Sequence, residues 1–126
     1  MATHRHERHE PRLKRAYDPP APVDGTRILV ERLWPRGLSK ERARIDLWLK
    51  DVAPSAALRT WYGHDPAKFE EFRRRYAQEL LASPAKEALA ELRELVRNGP
   101  VTLIFAARDV DHSGAAVLLD VLRGAE

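Results

Sequence analysis

The run Ile28-Leu29-Val30 leads directly into Arg32-Leu33-Trp34-Pro35-Arg36-Gly37, and this junction constrains the fold more than any other stretch. A short aliphatic, β-branched run closed by a Pro/Gly break reads as a buried strand ending in a sharp loop. A second such run, Val101 to Phe105, precedes the loop Arg108-Asp109-Val110-Asp111-His112-Ser113-Gly114. Between them, Phe69, Phe72, Tyr76 and Leu80 recur at helical spacing, as do Leu89, Leu92 and Val96. Strands separated by helices predict an α/β fold: a small, mainly parallel sheet covered by helices in three layers.

Local signals give the elements their bounds. Residues 1–11 are polar and aperiodic and read as a disordered tail that folding does not need, ahead of a single α/β domain over 12–126. Arg12 to Tyr17 reads as a short edge strand, and Asp18 to Asp24, with three prolines, as a loop. Gly25 turns into a strand over Thr26 to Glu31. Ser39 and Ser55 are N-cap candidates, Asp65-Pro66 and Ser83-Pro84 are helix starts, and Gly63 and Asn98-Gly99-Pro100 are helix stops. Val117, Leu118, Val121 and Leu122 belong to a last helix. A chain of 126 residues in one domain buries roughly two-thirds of its unfolded surface.

Charge narrows the partners. The net charge is +3, and residues 1–15 carry five basic and two acidic groups, so the remaining residues balance at 17 of each. A broad basic face for nucleic acid is therefore not written into the whole body. The segment 27–44 stands apart, with Arg27, Arg32, Arg36, Lys40, Arg42 and Arg44 against Glu31 and Glu41. Such a segment around a strand-end loop favours an anionic ligand. There is no cysteine, which excludes disulfides, thiolate metal sites and a cysteine nucleophile. No apolar run reaches the ~20 residues of a membrane span, and the polar start is no signal peptide, so a cytoplasmic protein is expected.

Ligands of parallel sheets bind beyond the strand carboxyl ends. The loops 32–40 and 108–114, following the two clearest strands, are therefore expected to converge on one pocket. In the first, Arg32 and Arg36 would clamp an anion, Trp34 would stack on a planar group, and Gly37 would let backbone approach closely. The alternative is that Trp34 plugs the core and the arginines pair with acidic neighbours. In the second, Arg108 and Ser113 are ligand-binding candidates at a helix N-terminus, and Asp109 and His112 are acid/base candidates. The alternative there is a plain cap, Ser113 or Asp111, and a surface histidine. His64 is a third acid/base candidate, because packing rarely selects histidine, whereas Asp65 is read as a helix cap. The set His64, Asp65, Asp109 and His112 has no recognised metal-ligand spacing, so no metal is expected. After loss of Met1, Ala2-Thr3-His4 matches the chemistry of a tetragonal Cu(II) or Ni(II) site, a pattern that also arises by chance. Arg73 to Arg75 read as a solvated helix face, and Trp48 and Trp61 as core.

The set RLWPRG at 32–37, APS at 53–55, WYGHDP at 61–66 and FAARDVDH at 105–112 resembles the YeaO-like family of small bacterial proteins of unknown function. The resemblance runs from about Lys14 to Leu122. It implies a compact α/β domain and brings no established activity. Broader relatives carry a cysteine-containing patch after the last strand, where this chain has Ala106-Ala107-Arg108-Asp109, so thiol chemistry does not transfer.

Three functions follow from these residues. The first is a pocket, enzymatic or sensory, for a small anionic ligand of phosphate or nucleotide type, with no cofactor. The second is nucleic-acid binding through the basic tail and residues 27–44, with a steep salt dependence. The third is a protein-binding adaptor, marked by an exposed apolar patch. No Walker loop, GxGxxG fingerprint or GxSxG elbow is present.

Overall fold

The computed structural model describes residues 10–124. Four parallel strands, β1 (Arg12–Arg15), β2 (Thr26–Leu29), β3 (Leu47–Trp48) and β4 (Val101–Phe105), pair in the order β1-β4-β2-β3. The helices are α1 (Lys40–Ala43), α2 (Ala56–Tyr62), α3 (Phe69–Glu79), α4 (Ala85–Asn98) and α5 (Gly114–Gly124). This is the small α/β fold expected, with every strand pair parallel. β2 stops two residues short of Glu31, although Val30 still reaches β4, donating its N–H to the Ile104 carbonyl at 3.0 Å.

β4 is buried at all five positions, as a central parallel strand covered on both faces must be. Its side chains alternate. Val101, Leu103 and Phe105 join Ile28 and Val30 in the larger core, beneath Phe72 and Tyr76 of α3, Leu92 of α4 and Leu118 of α5. Each such fully buried side chain contributes about 1.5–3 kcal/mol. Ile104 turns the other way and joins Leu29 and Ala16, covered by Trp34, Leu38, Ile45 and Trp48. The third layer is thus a loop carrying the one-turn helix α1. Its two indoles meet edge to face at 5.5 Å, with N–H groups donated to the Leu38 and Glu31 carbonyls at 2.5 and 2.7 Å. Trp48 and Trp61, expected in the core, are both half-buried at its rim, with Lys50 4.2 Å from the Trp48 ring and Arg75 4.2 Å from that of Trp61.

Ser39, Ser55 and Asp65 cap as expected, each side chain accepting a backbone N–H of the following turn. Asp65 caps a single 3-10 turn, with α3 starting four residues later at Phe69. Ser83 differs from expectation: its hydroxyl donates to Glu87 at 2.6 Å instead of capping a backbone N–H. Of the expected tail, Glu10 and Pro11 are described, and Glu10 lies 3.4 Å from Arg123. The rest of it, including Ala2-Thr3-His4, lies outside the described residues. Among the described residues no helix is long and apolar enough to cross a membrane.

The amino edge of the sheet is a charge network. Asp24 is buried, accepts Arg27 at 2.6 Å and Lys14 at 2.9 Å, and caps the Ala21 N–H at 2.9 Å. The Arg27 guanidinium also donates to the Ala43 and Arg44 carbonyls. Gly25 is required beside it: φ is +65°, and a Cβ there would sit 2.4 Å from the Pro100 carbonyl oxygen, which takes the Thr26 N–H.

Candidate functional site

The carboxyl edge is built differently. β2 and β4 are neighbours, yet the chain leaves them toward opposite faces. Beyond β2 it covers the tryptophan side through Trp34 and Leu38. Beyond β4 it turns to α5, on the helical side. A parallel sheet whose adjacent strands send their connections to opposite faces opens a crevice at that point, the usual ligand position in open α/β sheets. The expected convergence of loops 32–40 and 108–114 therefore takes another form: they share an edge and then part.

A cavity of about 80 Å³ occupies the crevice, with Glu31 and Ala107 at its strand side, Arg59, Tyr62 and His64 on α2 and its exit, and Ser113 and Gly114 at the start of α5. Glu31 sits at the fork. Its carboxylate accepts the Ala106 N–H at 2.9 Å, while its own carbonyl accepts the Trp48 indole N–H. Among the described residues no Lys, Arg or His nitrogen lies within 4.0 Å of this carboxylate. Burial pushes its pKa above the ordinary glutamate range, and the Ala106 N–H, Arg59 and His64 only partly offset that.

His64 reaches the cavity through local backbone chemistry. Gly63 ends α2 in the left-handed region at φ +54°, and its N–H bonds the Arg59 carbonyl. His64 follows at φ +57°, a conformation uncommon outside glycine though less so for histidine. Two left-handed residues in succession turn the chain back over the cavity mouth. Tyr62 is committed: its ring stacks on Phe72 at 4.1 Å and its hydroxyl donates to the His112 carbonyl at 2.6 Å. Burial raises its pKa, with Asp109 and Asp65 adding to the effect. Ser113 is buried and caps α5, accepting the Ala116 N–H at 3.1 Å and donating to the Val110 carbonyl at 2.7 Å. The first N–H groups of α5 have no partner within the helix, and its positive dipole end faces the cavity.

Of the residues singled out from sequence, His64 and Ser113 line this cavity. Asp109 and His112 form an exposed pair beside it, Oδ2 to Nδ1 2.8 Å, with the His112 ring edge-on to Phe69 at 5.0 Å. Arg108 is exposed, one residue beyond cavity-lining Ala107. Arg32 donates to the Ala53 and Pro54 carbonyls at 3.0 and 3.2 Å, so it holds the cavity wall at Pro54 in place of the acidic pairing considered from sequence. Trp34, Arg36 and Gly37 lie off the cavity. Trp34 fills the second core, Arg36 is exposed with its carbonyl taking the Tyr17 hydroxyl at 2.9 Å, and Gly37 turns at φ +75°.

Glu31 and Arg59 escaped the sequence reading. Glu31 had a usable signal, being an acidic residue directly after a buried strand. Arg59 had none beyond its place on the helix that Gly63 ends. No group of three or more His, Asp or Glu that could hold a metal comes together among the described residues.

The family model described as the inactive DUF488-N3 subclade matches residues 11–125. An uncharacterized protein of Mycobacterium tuberculosis and one of Mycobacterium bovis are each 49% identical over 113 residues, covering 90% of this chain and 93% of theirs. The uncharacterized protein YeaO of Escherichia coli is 39% identical over 110 residues, covering 87% and 94%. No solved structure matches the chain.

Proposed function

The chain belongs to the inactive DUF488-N3 subclade, a YeaO-like family of unknown function, and we propose that its crevice binds a small oxyanion, a phosphate or carboxylate head group. The observation that carries this reading is the cavity at the fork of β2 and β4, with Arg59, His64 and the start of α5 gathered around it. Its volume of about 80 Å³ corresponds to roughly three waters at their share of liquid volume, room for a phosphate-sized group and much less than a whole nucleotide. A helix N-terminus stabilises an anion by about 0.3–2 kcal/mol, and a guanidinium adds charge-assisted hydrogen bonds. Arg108, exposed nearby, adds to the attractive field. The family's description as inactive favours binding over turnover.

Glu31 sets the condition on binding. Ionised, it repels an oxyanion across the cavity; protonated, it donates a hydrogen bond to one. Its raised pKa brings the neutral form above the ordinary carboxylate range, so affinity rises as pH falls through its titration.

Calorimetric titration with inorganic phosphate and with acetate, at pH 5.5 and pH 8, tests this reading. Saturable binding that tightens at the lower pH is expected, with Arg59→Ala at least about tenfold weaker, one lost charge-assisted contact. Absence of saturation with both anions, or an unaffected Arg59→Ala protein, overturns it. The charges available for nucleic acid in the 27–44 segment are reduced, since Arg27 and Arg32 are spent on internal bonds.

A further inference from the structure

A second concavity lies on the tryptophan side of the sheet, distinct from the crevice. The segment after β1 (Tyr17 to Pro20) and the segment 37–44 enclose a groove of about 430 Å³, within the range of small-molecule sites. Its lining includes Tyr17, Asp18, Glu41, Arg42 and Arg44.

Two features of this lining are unexplained by folding. Tyr17 is held at both ends, its hydroxyl on the Arg36 carbonyl and its ring 5.3 Å from the Arg15 guanidinium, yet 45% of it is exposed. An aromatic ring fixed in place and left partly in solvent is a ready stacking surface. Arg44 ends α1 in the left-handed region, φ +51° and ψ +45°, where glycine or asparagine is the usual occupant. Its backbone is fully used, the N–H on the Lys40 carbonyl and the carbonyl on the Arg27 guanidinium. Its side chain is exposed and, like that of Arg42, makes no ion pair among the described residues. The fold needs this backbone position and would be served better by glycine.

We propose that this groove binds a nucleoside phosphate. The guanidinium groups of Arg42 and Arg44 suit the phosphate, the Tyr17 ring suits the base, and the carboxylates of Asp18 and Glu41 suit ribose hydroxyls, which donate to acidic side chains in many nucleotide sites. The carboxylates separate this lining from a bare phosphate site, where they would only repel. The same chemistry is offered by a free nucleotide and by a unit of single-stranded RNA.

The test is titration of the full chain with the four ribonucleoside 5′-monophosphates, with adenosine, with inorganic phosphate and with a single-stranded ribohexanucleotide. At least one monophosphate is expected to saturate, with adenosine and inorganic phosphate at least about tenfold weaker at this groove. Arg44→Gly is expected to weaken binding about tenfold or more while its unfolding midpoint is unchanged or raised, because glycine relieves the left-handed position. Tyr17→Leu weakens binding as well. The titrations are repeated in the Arg59→Ala background, which disables the crevice, so that the binding read there is that of this groove alone. Tighter binding of the hexanucleotide that also depends on Arg44 identifies the source as a strand. Failure of every monophosphate and of the hexanucleotide to saturate, or binding indifferent to Arg44→Gly, overturns the proposal.

Discussion

The two ends of the sheet each withdraw a carboxyl group from solvent, Asp24 fully and Glu31 in part, and they treat it in opposite ways. At the amino edge Asp24 is surrounded by Lys14, Arg27 and the Ala21 N–H. Burial pushes its pKa up, but those partners outweigh burial and the net is below the ordinary aspartate range. At the carboxyl edge Glu31 has one backbone N–H and, among the described residues, no cation within bonding distance, and burial wins. The first arrangement ties β1, β2 and the α1 segment together. The second leaves a titratable group facing a cavity at the fork of two strands. Paired charge at one end holds the fold, and unpaired charge at the other lines the cavity proposed as a ligand site.

The strongest way to break this contrast is to remove Arg27. Its guanidinium serves Asp24 and the Ala43 and Arg44 carbonyls at once, and Arg27 itself is only 4% exposed. Arg27→Ala leaves a buried carboxylate and two carbonyls short of donors, a loss expected at about 3–5 kcal/mol. Urea unfolding measures it as a fall in midpoint with little change in slope. A loss under about 1 kcal/mol would show the network to be solvated and not structural.

Glu31→Gln sharpens the comparison with a smaller effect of the opposite sign. A carboxyl whose pKa is raised on folding contributes stability in full at low pH. That stability is lost as pH rises from the ordinary glutamate range through the folded-state value. Glutamine keeps an oxygen for the Ala106 N–H and does not ionise, so the variant is expected to melt a few degrees higher at pH 8 and no higher at pH 4. Asp24 has the reverse slope: its contribution is complete above the ordinary aspartate range and disappears as pH falls through the lowered folded-state value. Asp24→Asn is therefore destabilising at pH 8. Thermal unfolding of both variants across pH reads the two slopes directly, and a Glu31→Gln protein less stable than the parent at pH 8 would mean that Glu31 is paired after all.

The same contrast explains what the sequence disclosed. The fold was legible because its signals are local and repetitive: the all-apolar run of β4, the spaced aromatics of α3, and caps at Ser39, Ser55 and Asp65 each act within a few residues. The position of a cavity at the strand carboxyl ends was legible too, since parallel topology places a crevice there. Which side chains face that site was not. Arg32 and Trp34 look like ligand groups in a line of text, because nothing local says that Arg32 will meet carbonyls more than twenty residues on, at Ala53 and Pro54, or that Trp34 will meet Trp48. Arg59 lines the crevice beside His64, a meeting with the ends of β2 and β4 that no local signal announces.

Arg36→Ala is the smallest predicted effect and the most direct check on that distinction. From sequence alone, Arg36 is the natural anion clamp, and its removal should abolish binding of a small oxyanion. In the structure its side chain is exposed and off the crevice, while only its backbone carbonyl is engaged, by the Tyr17 hydroxyl. Alanine preserves that carbonyl. Stability should therefore stay within about 0.5 kcal/mol of the parent, as for most surface substitutions away from caps and networks. Phosphate affinity should fall by less than about twofold, through the weakened long-range field alone, and this residue of effect should vanish at 0.5 M salt, where the screening length is roughly 4 Å. A loss matching that of Arg59→Ala, persisting in salt, would place the oxyanion at the tryptophan loop and not in the crevice.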